Sequence, residues 1–166
     1  MSLVLAAVGA VVAGLLELTV VPRLSVNGAH PHPVLVLGII WTVAAGVESG
    51  LVWAFAGGLL LDVLAPRPLG SSAFALLVSL GGASAGARVL WRMRPLAPIP
   101  LVFIFSLVNS LLLLVAYGAL RAPIPTQDPI GTLLPGAVFD TVLAALFGPL
   151  VITLRDRRHP DERADW

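Results

Sequence analysis

Eleven charged residues serve the first 154 positions of this chain, and eight more crowd into the last twelve. Charge that sparse leaves long apolar runs, and about 20 mostly apolar residues are what a helix needs to cross a hydrocarbon core roughly 30 Å thick. Such runs follow one another from Leu3 to Leu154. Charged residues make up 11% of the whole, against about 25% in an ordinary soluble domain, and mean hydropathy is +0.97. A soluble globular enzyme and a disordered tail protein are excluded. The chain reads as an all-α integral membrane protein, a six-transmembrane-helix bundle. It forms one domain over residues 1–154, with spans at about 3–22, 34–47, 50–65, 70–90, 100–120 and 132–154, of which the second and third are short for a bilayer crossing. Residues 155–166 form a charged cytoplasmic tail.

The breaks between spans have local causes. Pro22-Arg23 ends the first, and Asn27-Gly28 and His30-Pro31-His32-Pro33 form a polar turn-rich loop. The apolar stretch Val34 to Ala65 would be about 48 Å long as one helix, too long for a single crossing. A tight hairpin around Gly46-Val47-Glu48-Ser49-Gly50 divides it into two short arms. Pro66-Arg67-Pro68-Leu69-Gly70 cannot continue a helix, and Ser71-Ser72 are natural N-caps for the next one. The N-terminus lacks the basic region of a signal peptide, so the first run is a permanent span. With both termini in the cytoplasm, inner segments carry Arg88, Arg92, Arg94, Arg155, Arg157, Arg158 and Arg163, and outer loops carry Arg23, Arg67 and Arg121. That asymmetry matches the positive-inside rule.

Net charge is +1, which gives no basis for binding nucleic acid. Cysteine is absent, which removes disulfides, thiolate nucleophiles and thiolate metal sites. Carboxylates at span depth are costly and mark pairing or function. Glu17, Asp62 and Asp140 are the candidates, expected toward the outer ends of their helices. Pairing with the outer arginines or capping of loop backbone is the plain reading, and a proton path or a catalytic carboxylate pair is the sharper one. Asp62 stands one turn before Pro66, within reach of the loop backbone, Ser71 and Ser72, and an amide in its place keeps most of its acceptor geometry. Gly82-Ala83-Ser84-Ala85-Gly86 matches the GxSxG string of serine hydrolases, but that string needs a strand–turn–helix elbow. The same residues hold a GxxxG spacing, Gly82 and Gly86, which serves close helix packing. His30-Pro31-His32 is a surface loop rather than a metal site. No cofactor is expected.

The most specific stretch is Gly57-Gly58-Leu59-Leu60-Leu61-Asp62-Val63-Leu64-Ala65-Pro66-Arg67-Pro68-Leu69-Gly70-Ser71-Ser72, leading into the small-rich fourth span. It resembles the signature of the MreD family, bacterial rod shape-determining membrane proteins. Glu17-Leu18-Thr19-Val20-Val21-Pro22-Arg23-Leu24 is similar to the end of that family's first span, where Gln is more usual than Glu. His30-Pro31-His32-Pro33 and Asp140 depart from the pattern. The resemblance implies a non-enzymatic scaffold in the bacterial plasma membrane that maintains rod shape by organising lateral peptidoglycan synthesis. It implies an MreC-like partner, a RodA-like glycosyltransferase and its penicillin-binding protein. It assigns Glu17, Gly58, Asp62, Pro66, Arg67, Pro68 and Gly70 to a partner or structural motif. The fold it implies is similar to the substrate-binding component of energy-coupling factor transporters, so the alternative is a vitamin-type transporter subunit.

Overall fold

The computed structural model describes residues 2–23, 30–65, 68–120 and 129–158. They form six α-helices: α1 Ser2–Thr19, α2 Pro33–Ala45, α3 Val47–Leu64, α4 Ser71–Val89, α5 Pro98–Ala119 and α6 Pro129–Arg158, with 3₁₀ turns at Val21–Arg23 and Trp91–Met93. Pro33, Pro98 and Pro129 open their helices, where a missing N–H costs nothing. Gly46 alone separates α2 from α3, and Gly70 precedes α4. Their φ angles of +94° and +89° are ones a side chain resists. Pro66 and Arg67, the Arg121 loop and the tail from His159 lie outside the described residues.

The expected six spans resolve into five helices long and apolar enough to cross a membrane, Leu3–Arg23, Val47–Leu64, Ser71–Val89, Pro98–Ala119 and Gly131–Arg155, and one that is not. The exception is α2, with 13 residues and so about 20 Å long. Its surroundings explain its length. It packs against each of the other five helices, and nine of its residues are buried, so protein rather than lipid is its solvent. The outer helices follow one another around it in the order α1, α3, α4, α5, α6, and the two ends of this arc, α1 and α6, share no extended contact. The less buried positions Pro33, Leu37, Trp41 and Ala45 recur every fourth residue, one stripe of a helix left open on one side.

Leu35, Ile39, Ile40 and Val43 of α2 meet Leu80, Val102 and Ile152 in the core. Apolar side chains such as Val4, Val8, Phe55, Val63, Val115 and Leu146 face outward, toward lipid. In a bilayer such burial does not drive helices together; close packing and polar contacts between helices do. At Gly58 an added Cβ would overlap the backbone of Ala73, so α3 and the start of α4 touch main chain to main chain. Gly82 and Gly86 work differently. Each leaves room for an α5 side chain, Phe105 and Leu101 respectively, so the GxxxG spacing receives side chains inside the bundle. The indole of Trp53 fills the space beside Gly9 and Gly38 and donates to the Val34 carbonyl at 2.9 Å, which joins α1, α2 and α3.

Candidate functional site

Asp62 stands in the last turn of α3 and is 2% exposed. Its Oδ2 accepts the Gly70 N–H at 2.9 Å and the Ala73 N–H at 3.2 Å, and its Oδ1 accepts the Ser72 N–H at 2.9 Å. These are donors that the first turn of α4 cannot satisfy internally. The side chain thus caps a helix other than its own, and the positive end of that helix favours its charge. The Ser71 hydroxyl lies 3.4 Å from Oδ1 and makes a shorter bond, 2.7 Å, to the Pro68 carbonyl. Positive φ at Gly70 and the backbone contact at Gly58 bring the start of α4 against α3.

A second pair of carboxylates closes the start of α2. Glu17 of α1 accepts the Val34 N–H at 3.2 Å, and its other oxygen lies 3.7 Å from His32 Nδ1. Asp140 of α6 accepts the His32 N–H at 2.6 Å and the Ser106 hydroxyl of α5. The far end of α2 meets the opposite charge: Arg94 donates to the Val43 and Ala44 carbonyls at 3.4 and 3.3 Å. Anions at the N-terminus and a cation at the C-terminus complement the helix dipole. Nearby, Arg155 lies 5.3 Å from the Trp41 ring centroid, and Trp41 stacks on Trp53.

The three carboxylates therefore do not form one site. Glu17 and Asp140 meet at His32, and Asp62 holds a separate helix start. Asp140 is also not near the end of its helix. Pro135 lies inside α6, which begins at Pro129, so Asp140 stands about three turns in. Proline is accepted there because neighbouring helices can satisfy the freed backbone groups. Among the described residues the partners of Asp62 and Asp140 are backbone N–H groups and hydroxyls. Asp62 and Asp140 share no hydrogen-bond partner among the described residues.

Ser84 sits in the middle of α4 and donates to the Gly81 carbonyl at 2.6 Å, inside a helix rather than at an elbow. His30 and His32 face each other edge to face at 5.6 Å. Among the described residues no group of three or more His, Cys, Asp or Glu is arranged for a metal ion. Sequence reasoning missed Arg94 as a cap, Ser106 and the ring of His32. It noted Asn109 only as an interruption, yet Asn109 is 4% exposed and borders a small cavity with Glu17, His32 and Ser72.

A family model described as rod shape-determining protein MreD matches residues 1–156 of the chain. No curated protein and no solved structure shows a significant match.

Proposed function

The chain belongs to the MreD family, rod shape-determining membrane proteins, and from that membership we propose that it is a non-enzymatic scaffold of the wall-elongation machinery. In this reading it sits in the plasma membrane with both termini cytoplasmic. It engages an MreC-like protein and, with it, a RodA-like glycosyltransferase and a penicillin-binding protein that build lateral peptidoglycan. The observation that supports the reading is the Asp62 cap. The block most like the family signature, Gly58 to Ser72, is also the place where one side chain fixes a turn between two helices. A helix start capped from a neighbouring helix suits a surface that a partner must find in one shape. The Arg asymmetry favours the orientation, and the end of α2 that meets Arg94 and Arg155 is then the cytoplasmic one.

Co-purification in mild detergent tests this. The wild-type chain should bring down the MreC-like protein, and Asp62→Leu at matched membrane abundance should bring down several-fold less. Recovery of an ATP-binding energising module in its place would support the transporter-subunit reading.

A further inference from the structure

Between α1, α2, α4 and α5 lies a cavity bordered by Glu17, His32, Ser72 and Asn109 on its polar side, with Val34, Leu35, Leu61, Leu76 and Leu113 completing the wall. Its volume is about 10 Å³, about the room one water needs. Asn109 Oδ1 is buried and has no hydrogen-bond partner among the described residues. An orphan acceptor in an apolar setting is expensive, so such a group in a native interior points to something that fills the gap. The Glu17 carboxylate, which takes the Val34 N–H and lies beside His32, borders the same cavity, and a carboxylate can accept about four hydrogen bonds. The wall thus offers acceptors and asks for a small molecule that donates twice.

We propose that this cavity binds a single water molecule that donates to Asn109 Oδ1 and to the Glu17 carboxylate. Size excludes any organic ligand. A bare cation is a poor match, because Glu17, Asn109 and Ser72 supply too few oxygens to replace a hydration shell. The water completes a closed circuit around the start of α2. Glu17 is beside His32, the His32 N–H reaches Asp140, and Asp140 takes the Ser106 hydroxyl. Ser106 stands three residues before Asn109 on α5, on the same face of the helix. The water returns from Asn109 to Glu17. It thereby ties α1 to α5, two helices that share no extended contact, and Asn109 acts as a positioning residue for the Glu17 cap.

The test is the sign of a stability change in the purified full-length protein, followed by tryptophan fluorescence on heating. Asn109→Leu expels the water and should lower the midpoint by several degrees. A dry cavity gives the opposite result, since Leu then removes an orphan acceptor and fills space, and a raised midpoint would overturn the proposal. A milder pair keeps the question open to experiment if Leu prevents folding. Glu17→Ala and Asn109→Ala each remove one end of the same bridge, so their combined loss should be smaller than the sum of the two, and strict additivity would rule the bridge out. The midpoint should not change when sodium replaces potassium at constant ionic strength; a sodium-dependent rise would assign the site to a cation and defeat the water assignment.

Discussion

At Asp62 both carboxylate oxygens are in use, and this decides how its substitutions rank. An Asn placed with its oxygen toward Gly70 and Ala73 keeps two of the three backbone bonds but sets an NH₂ group against the Ser72 N–H. The tolerance that an amide promises on paper therefore shrinks. Asp62→Asn should cost about 1–2 kcal/mol and Asp62→Leu about 2–4 kcal/mol, the scale of a lost cap plus buried N–H groups left unpaired. Thermal unfolding in detergent ranks them, and pull-down yield should follow the same order. Equal damage from both would mean that the charge matters more than the bonds. This cap was legible in the sequence because its partners lie within eleven residues, across a loop that two prolines keep short. The Asp140–His32 contact spans 108 residues, and no local pattern announces it. Depth misled as well: sequence reasoning expects Asp140 toward the outer end of its helix, but it stands about three turns into α6.

The element that sequence reasoning judged least well is α2. Its hydropathy equals that of a span and its turn at Gly46 was visible, but nothing in its own residues says that five helices surround it. Burial on nearly all sides appears in sequence as an unbroken apolar run, the same signal that lipid produces. What separates the two is how the ends are treated. Both ends of α2 are met by charged side chains from elsewhere in the chain, Glu17 and Asp140 at one and Arg94, in the turn before α5, at the other. Arg94→Met should lower stability by about 1 kcal/mol, in keeping with its long bonds and with cap and dipole effects. Arg94→Lys should recover part of the loss, because it keeps the charge without the planar fork. Midpoints for the two variants check this, and a Lys variant weaker than Met would remove Arg94 from the capping role.

At the scale of the whole molecule, five spans and one enclosed short helix still leave an even number of passages, because Gly46 returns the chain at the end where Arg94 lies. The orientation proposed from the arginines thus counts α2, short as it is, as the passage between α1 and α3. A reporter fused after Trp166 should be active only in a version that senses the cytoplasm. One inserted between residues 121 and 129 should be active only in a version that senses the exterior. The reverse pattern would invert the bundle and place the Asp62 turn on the cytoplasmic side.

The dependence of α2 on its neighbours also has an order in time. The ribosome delivers α2 before most of the groups that complete its ends: Glu17 precedes it, Arg94 comes 49 residues after Ala45, and Asp140 appears only in the last helix. A 13-residue segment is a poor substrate for independent insertion, since it is shorter than a bilayer crossing. Its final seating should therefore wait for α6, with the last helix made acting as a checkpoint on the second. The natural absence of cysteine makes this easy to observe. A Val34→Cys probe, buried in the finished protein, should resist a thiol reagent in the full chain and react in a chain stopped after Leu120. Equal protection in both would mean that α2 is seated before α6 exists. If seating does wait, an incomplete chain exposes its own unfinished centre, and quality control in the membrane can recognise it by that alone.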